Sequence, residues 1–252
     1  MDILKTVPKD RLFTGLALLG GVLAIGLIDN FYLMWIVLGA IYILAFKEAM
    51  KLFGINDNYL LYFALFIWLS AAVFSQGDDI FVLAGITYAS MVAFNREMTW
   101  KNFMPFVYPT AGMLFILTMY QEYGVKSLLW LLVIVALTDV GAYAVGKSIG
   151  KTPFSPTSPN KTLEGVAGGI AVATIGGMFM GLVLVDLGHS FIVSILVSIS
   201  AIFGDLYESS IKRAAGVKDS GSLLSGHGGV LDRIDGYLFG GIVMLIFLRG
   251  LV

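Results

Sequence analysis

Apolar runs of roughly membrane-spanning length alternate with short charged segments along this sequence. A helix needs about 20 apolar residues to cross the hydrocarbon core of a bilayer, and repeated runs of this kind indicate a polytopic chain. The runs that we interpret as membrane spans are residues 12–28, 31–46, 59–74, 81–94, 104–120, 127–145, 166–185, 191–203 and 237–251. The pattern therefore predicts an all-α polytopic integral membrane protein with about nine transmembrane helices.

The positions of lysine and arginine predict how these spans are oriented. If the N-terminus is cytoplasmic, all of the 16 lysine and arginine residues except Lys126 and Arg249 fall on the cytoplasmic side. Loops on that side of a membrane are enriched in lysine and arginine. We therefore expect a cytoplasmic N-terminus.

Composition agrees with the membrane class and argues against a nucleic-acid partner. Charged residues make up 13% of the chain and apolar residues 58%, whereas soluble domains carry about 25% charged residues. Cysteine is absent, which excludes disulfides and thiolate metal sites. The net charge of -1 leaves no basic excess to neutralise a nucleic-acid backbone, so no nucleic acid is expected as a partner.

Two polar segments, residues 146–165 and 206–236, stand out on the predicted cytoplasmic side. Neither is long enough to form a hydrophobic core of its own. We divide the chain into an N-terminal membrane region of about five spans, residues 1–126, and a C-terminal region that carries both loops, residues 127–252. An active site would be built from these loops and the adjoining helix ends, at the cytoplasmic membrane face and within reach of a membrane lipid.

Carboxylates at the ends of the predicted spans are the first candidates for chemistry. Asp139 lies inside the sixth span, and Asp205 follows the eighth. A carboxylate at membrane depth costs a few kcal/mol and indicates a functional site by default. If the helix continues beyond Asp205, its side chain shares one face with those of Glu208, Ser209 and Lys212. The alternative is an ordinary helix end with an intrahelical Glu–Lys pair.

A segment rich in glycine and charge precedes the last predicted span. Asp232 and Asp235 stand at the expected start of that helix, where carboxylates meet the positive end of the helix dipole. The preceding His227, Gly228 and Gly229 favour phosphate binding, because glycines let backbone amides approach an anion closely. Hard carboxylates beside phosphate favour Mg²⁺. The alternative is simple capping of the helix by the two aspartates.

Fixed cations near these acids are candidate phosphate contacts, since guanidinium and ammonium groups both bind phosphate. The candidates are Lys212, Arg213, Lys218 and Arg233. Lys161 and Glu164 are expected to border the same cavity from the first loop. The alternatives are positive-inside anchoring for the cations and helix capping for Glu164.

Residues 141–148, GAYAVGKS, fit the P-loop pattern GxxxxGK[ST]. That motif binds phosphate only as a loop between a strand and a helix, whereas this segment ends a predicted apolar helix. We therefore interpret Gly141 and Gly146 as helix-packing positions and Lys147 as a cation at the helix end.

Residues 209–235, SSIKRAAGVKDSGSLLSGHGGVLDRID, resemble the signature of the phosphatidate cytidylyltransferases, or CDP-diacylglycerol synthases. Residues 139–143, 158–165 and 204–209 are similar to the segments that precede this signature. Two positions depart from the family pattern: Ser225 stands where proline is usual, and Leu163 where tryptophan is common. Neither departure removes a charged residue or a glycine.

The resemblance implies an enzyme that converts CTP and phosphatidate into CDP-diacylglycerol and pyrophosphate. It also implies a multi-span homodimer among the lipids of a bacterial cytoplasmic (inner) membrane, and a Mg²⁺ site, with K⁺ beside it, on Asp205 and Asp232. The other expected catalytic residues are Lys212, Arg213, Lys218, Asp219, His227, Arg233 and Asp235. The expected substrate-binding residues are Asp139, Lys161, Glu164, Glu208, Ser209, Gly228 and Gly229.

Two other functions stay open from the residues alone. Asp139 and Asp205 fit the ion pathway of a polytopic transporter, although such a site should lie near the membrane midplane. A different CTP-dependent lipid enzyme, similar to a polyprenol kinase, would release CDP instead of pyrophosphate.

We predict that His227→Gln retains more activity than Asp232→Asn. A phosphate monoester has a second pKa of about 6, so the attacking phosphate is largely anionic at neutral pH and needs no general base. His227 is therefore expected to bind or orient a phosphate. Pyrophosphate release by the two purified variants measures this, and the reverse ranking would contradict it.

Overall fold

The computed structural model describes residues 20–21, 24–74, 76–95, 98–223 and 228–251. Its helices are α1 (Phe31–Leu52), α2 (Asn58–Ser70), α3 (Gly77–Phe94), α4 (Ala111–Tyr123), α5 (Val125–Ile149), α6 (Leu163–Gly181), α7 (Leu187–Ala214) and α8 (Leu231–Leu251). A 3-10 turn at Trp100–Phe103 and a π-helical turn at Phe106–Thr110 precede α4. A short hairpin, β1 (Pro153–Ser155) and β2 (Ser158–Thr162), lies between α5 and α6.

The lengths and polarity of these helices confirm the polytopic helical class. Within the described residues, six segments are long and apolar enough to cross a membrane: Phe31–Leu52, Gly77–Phe94, Trp100–Tyr123, Val125–Ile149, Leu163–Gly181 and Leu187–Ala214. Each predicted span from residue 31 onward coincides with a helix, whereas most of the predicted span 12–28 lies outside the described residues. The count of nine spans and the cytoplasmic N-terminus stay predictions.

Short polar side chains fix the points where helices begin. Asn30 accepts a hydrogen bond from the Leu33 amide at the start of α1, and Thr162 accepts one from the Gly165 amide at the start of α6. Such caps satisfy amides that have no partner inside the helix. The cap at Thr162 also sets the point where β2 turns into α6.

The prediction for the loop 206–236 is wrong in its bounds. α7 continues through Ala214 and α8 begins at Leu231, so only residues 215–230 connect the two helices. The polar residues after Asp205 resemble a loop in hydropathy, but Glu208 and Lys212 form an i,i+4 ion pair that stabilises the helix.

The loop 146–165 contains a hairpin that the all-α prediction missed. β1 and β2 pair antiparallel, with Pro153 opposite Thr162 and Ser155 opposite Ser158. The strands have 3 and 5 residues, which is too short for an alternating hydrophobic pattern to reveal them. The described residues are otherwise mostly helical, so the all-α class is confirmed with this one short hairpin added.

Glycines bring the backbones of α5 and α6 into contact. A Cβ atom added to Gly141 would lie 3.0 Å from the Gly169 Cα, and one added to Gly146 would lie 3.2 Å from the Thr162 hydroxyl. Residues 141–148 are helical throughout, so the P-loop interpretation is excluded and the helix-packing prediction is confirmed. Close backbone approach through small residues is typical of membrane helices.

The hydrophobic core is continuous from α1 to α8 and holds α8 against the N-terminal half of the chain. A Cβ atom added to Gly112 of α4 would lie 2.7 Å from the Leu238 Cβ of α8. At the far end of α8, the Arg249 guanidinium donates to Asp78 of α3 and Glu122 of α4, with N–O distances of 2.5 Å. α8 is therefore held by close packing against α4 and by ion pairs at its end.

We predict that Gly169→Ala destabilises the protein and that Gly85→Ala does not. The new methyl group at position 169 would lie 2.6 Å from the Thr138 carbonyl oxygen, whereas at position 85 its nearest neighbour is the Phe103 ring at 3.7 Å. Overpacking of this kind costs about 1–3 kcal/mol, while alanine favours an open helical site. Thermal unfolding of the two variants in detergent measures the difference, and equal midpoints would contradict the close packing of α5 and α6.

Candidate active site

A cavity of about 370 Å³ opens between α5, the hairpin, α6 and α7. Its lining residues are Thr138, Asp139, Ala142, Tyr143, Gly146, Lys147, Asn160, Lys161, Thr162, Gly165, Val166, Ile202 and Asp205. Three predicted site residues, Asp139, Lys161 and Asp205, therefore share one cavity although they come from three different elements. The cavity combines two lysines, Lys147 and Lys161, with two carboxylates at the end of the helices that carries both polar loops.

Lys161 and Asp205 form an ion pair across this cavity. The Lys161 ammonium donates to Asp205 Oδ2, and the Ser209 hydroxyl, one turn further along α7, is 3.4 Å from Asp205 Oδ1. Both side chains of the ion pair are about one-third exposed, at 29% and 32%. Because solvent screens such an ion pair, it contributes at most about 1 kcal/mol to the stability of the fold. A ligand can therefore compete for either side chain.

Glu164 holds the hairpin that carries Lys161. Its carboxylate accepts hydrogen bonds from the backbone amides of Lys151 and Thr152, at 3.1 and 3.2 Å, and from the Thr152 hydroxyl at 2.8 Å. These bonds join the beginning of the loop to the first turn of α6. Glu164 is not among the cavity-lining residues, so its position supports the hairpin and not direct contact with a ligand in the cavity.

A second cluster, buried beside the cavity, centres on the ammonium group of Lys212. Its Nζ donates to Glu208 Oε2 and Asp232 Oδ1, both at 2.6 Å. The three side chains are almost fully buried, with exposed fractions of 10%, 1% and 8% for Lys212, Glu208 and Asp232. The sequence predicted that Asp205, Glu208, Ser209 and Lys212 share one face of a helix, with an ordinary Glu–Lys ion pair as the alternative. The structure contains both the shared face and the ion pair.

Asp232 has several hydrogen-bond donors around its second oxygen. Asp232 Oδ2 accepts from the Ser220 amide at 2.9 Å, the Ser220 hydroxyl at 3.0 Å and the Gly229 amide at 2.7 Å. Gly228 adopts a φ of +78°, a conformation that favours glycine. The glycine-rich segment therefore folds its amides onto the Asp232 carboxylate at the start of α8.

Glu48 of α1 joins this cluster, and the sequence pattern did not indicate it. Its carboxylate accepts hydrogen bonds from the Ser220 hydroxyl at 2.8 Å and from the Val230 and Leu231 amides at 3.0 and 2.8 Å. Only 7% of the Glu48 residue is exposed. The available signal was an acid just beyond the apolar run 31–46, between Lys47 and Ala49 and one turn after the buried Ala45.

The remaining acids lie near one another. Asp139, Asp205 and Asp235 are close enough to interact electrostatically, and Glu208 also acts on Asp235. Glu208 Oε1 is buried and has no hydrogen-bond partner among the residues that the structure describes. Within the same residues, no three His, Cys, Asp or Glu side chains converge in a metal-binding group.

The other predicted site residues occupy the surface around these clusters. Arg213 is exposed and donates to the Val217 carbonyl oxygen at 3.0 Å. Lys218, Asp219 and Arg233 are also exposed. His227 lies outside the described residues, so its expected role stays a prediction.

The fold and the site together define a polytopic helical membrane protein in which two polar clusters lie at one end of the bundle. A family model described as the cytidylyltransferase family matches residues 9–251. The chain therefore belongs to this family, which confirms the resemblance found in residues 209–235.

Curated relatives agree with the family match. A phosphatidate cytidylyltransferase from Helicobacter pylori (strain ATCC 700392 / 26695) is 41% identical over 247 residues, which cover 96% of this chain and 93% of the relative. One from Thermotoga maritima is 36% identical over 197 residues, which cover 72% of this chain and 73% of the relative. One from Bacillus subtilis (strain 168) is 43% identical over 123 residues, about half of either chain.

We predict that Lys212→Met destabilises the protein strongly, whereas Arg213→Met has little effect. Without the Lys212 ammonium, the buried carboxylates of Glu208 and Asp232 lose their shared counter-charge, a change that typically costs about 3–5 kcal/mol. Arg213 is exposed, and substitutions at such positions usually change stability by less than about 0.5 kcal/mol. Unfolding midpoints in detergent compare the two, and a Lys212 variant as stable as the Arg213 variant would contradict the buried network.

Proposed function

We propose that this protein is a CTP:phosphatidate cytidylyltransferase of a bacterial cytoplasmic membrane. The observation that carries the proposal is the convergence of Asp139, Lys161 and Asp205, from three separate segments of the family pattern, on one cavity. The names and coverage of the relatives support CTP and phosphatidate as the substrates. The apolar helices around the cavity support a substrate that stays in the membrane.

In the proposed reaction, an oxygen of the phosphatidate phosphate attacks the α-phosphorus of CTP. A new P–O bond forms in line with the P–O bond that breaks, and the products are CDP-diacylglycerol and pyrophosphate. Catalysis of phosphoryl transfer is mainly positioning and charge neutralisation. No protein base is required, because the attacking monoester is already largely dianionic at neutral pH.

Lys161 is the cation that we assign to a phosphate of the substrates. Its ammonium reaches the cavity from β2 and, among the described residues, has one carboxylate partner, Asp205. By contrast, Lys212 is buried between two carboxylates and fixes the position of Asp232. Arg213, Lys218 and Arg233 lie exposed around this end of the bundle, where they can contact the outer phosphates of CTP.

Mg²⁺ is the metal that we propose for this site, with Asp205 and Asp232 as its protein ligands and K⁺ beside it. The Asp205 carboxylate lines the cavity and fits a hard cation, whereas Asp232 lies in the buried cluster, where Lys212, Ser220 and Gly229 already contact its two oxygens. A shared cation would use the lone pairs that these contacts leave, and the nearby Asp139 and Asp235 favour a bound positive charge. Mg²⁺ commonly uses one or two carboxylates together with water and substrate phosphates, which suits a site without a full protein cage. When bound, the ion would neutralise charge on the phosphates of CTP.

A homodimer stays part of the proposal by family resemblance. The apolar outer surface includes exposed side chains such as Ile175 and Phe179 of α6. In a membrane such a surface contacts lipid or a second copy of the chain.

We predict that the detergent-purified protein releases pyrophosphate when it has CTP, phosphatidate and Mg²⁺ together. Lys161→Met should lower kcat/KM by about 100-fold or more, because one pre-organised charged donor contributes that much to a developing anion. Lys151→Met, in the same loop but outside the cavity lining, should keep near wild-type activity. Removal of Mg²⁺ with a chelator should stop the reaction.

Each other outcome has a specific meaning. Release of CDP in place of pyrophosphate would identify a CTP-dependent kinase, and solute movement without CTP use would identify a transporter. Equal activity of the two lysine variants would show that Lys161 does not bind the substrates, and the assignment of the reaction would be unaffected.

A further inference from the structure

Glu48 is the one buried acid of the cluster that comes from the N-terminal half of the chain, within the residues that the structure describes. It is separated from its partner Ser220 by 172 positions in the sequence and from Leu231 by 183. Neither the family signature nor the expected site residues include it. Its contacts nevertheless lie directly beside Asp232.

The Glu48 carboxylate caps the first turn of α8. Oε1 accepts from the Val230 amide at 3.0 Å and Oε2 from the Leu231 amide at 2.8 Å. The first amides of a helix have no partners within the helix and form its positive end. A capping residue normally comes from the preceding segment, whereas here the cap is delivered by a different membrane helix.

Ser220 links Glu48 to Asp232. Its hydroxyl oxygen is 2.8 Å from Glu48 Oε2 and 3.0 Å from Asp232 Oδ2, and it accepts from the Asp232 amide at 3.3 Å. The single hydroxyl proton of Ser220 is therefore within reach of both carboxylates. Movement of Glu48 would displace Ser220, whose amide donates to Asp232 Oδ2 and whose hydroxyl lies within hydrogen-bond distance of the same oxygen.

The glycines of this segment leave room for the Glu48 carboxylate. A Cβ atom at Gly221 would lie 2.4 Å from Glu48 Oε1, and one at Gly229 would lie 2.2 Å from the Ser220 hydroxyl and 2.4 Å from Glu48 Oε2. Any side chain at either position would displace the bridge between Glu48 and Asp232. The need for glycine at both positions is thus explained by contact with Glu48, which is far away in the sequence.

We propose that Glu48 is a positioning residue of the active site, which acts through Ser220 and the first turn of α8 to hold Asp232 in place. This inference rests on the proposed function, because Asp232 is a catalytic residue only if the cytidylyltransferase assignment holds. It makes the N-terminal membrane region a part of the active site and not only its anchor in the bilayer.

The first test compares Glu48→Gln with Glu122→Gln in the purified protein. The amide of glutamine can accept at one of its two positions but not at both, so the Val230 and Leu231 amides lose one acceptor. Glu122 is a matched control, since its carboxylate also binds a neighbouring helix, through Arg249, but lies outside both clusters. Pyrophosphate release is measured against Mg²⁺ and CTP concentration, together with the unfolding midpoint.

We expect Glu48→Gln to lower kcat by roughly 10- to 100-fold, because small displacements of a catalytic group have effects of this size. The Mg²⁺ concentration for half-maximal activity should rise several-fold, while Glu122→Gln leaves both values near those of the wild type. Unchanged kcat and Mg²⁺ dependence for Glu48→Gln would overturn the inference. Equal losses in both variants at equal loss of stability would also overturn it, because they would show a purely structural role.

A double-mutant cycle with Ser220→Ala tests the connection itself. If Glu48 acts through Ser220, the losses in kcat of Glu48→Gln and Ser220→Ala should be non-additive. Additive losses would overturn the proposed route. Ser220→Ala keeps the carboxylate of Glu48 at the start of α8, so an unchanged kcat in this variant alone would also overturn the proposed route.

Amide hydrogen exchange gives a readout that does not depend on activity. Exchange at Val230 and Leu231 should accelerate in Glu48→Gln and stay slow in Glu122→Gln, and equal exchange would contradict the cap. Absence of pyrophosphate release from the wild-type protein would refute the proposed function, whereas an active wild type with an unaffected Glu48 variant would refute this inference alone.

Discussion

The buried ammonium group of Lys212 is the interaction on which the polar end of this protein depends. It joins Glu208 on the same helix to Asp232 on the next one, at 2.6 Å in both cases. Transfer of each charge out of water costs several kcal/mol, so the arrangement is tolerated only when all partners are present. α7 must therefore continue beyond Asp205 for two more turns, because only then does Lys212 reach the start of α8. Residues 215–230 then connect the end of α7 to the start of α8.

The two polar clusters differ in how firmly their charges are held. Lys161 and Asp205 form a partly exposed pair that solvent screens, whereas Lys212 has two carboxylate partners and almost no exposure. A ligand phosphate can displace the first pair at little cost, but it would have to leave a buried acid uncompensated to displace the second. The cavity pair is thus suited to ligand exchange, and the buried cluster is suited to hold the adjacent residues in a fixed geometry.

Hydropathy predicted the helical membrane class and the approximate position of each helix from residue 31 onward, because bilayer thickness imposes a length on apolar runs. It was less informative beyond the membrane. Residues 206–214 are polar and were assigned to a loop, yet Glu208 and Lys212 stabilise a helix there. The hairpin that carries Lys161 was also missed, since its strands are too short for a periodic pattern and depend on Glu164 to hold their base.

The candidate site shows the same division between local and long-range information. Asp139, Lys161 and Asp205 belong to distinctive sequence segments, and they converge on one cavity. The first predicted loop borders this cavity through Asn160, Lys161 and Thr162, whereas its lining includes no residue of the second, 206–236. Glu48 has no such local signature, because its role depends on the packing of α1 near the start of α8. Gly221 and Gly229 leave the space that the Glu48 carboxylate occupies. A glycine in a sequence indicates that another group approaches closely, but it does not identify that group. A pairing of this kind becomes visible only when both partners are placed in three dimensions.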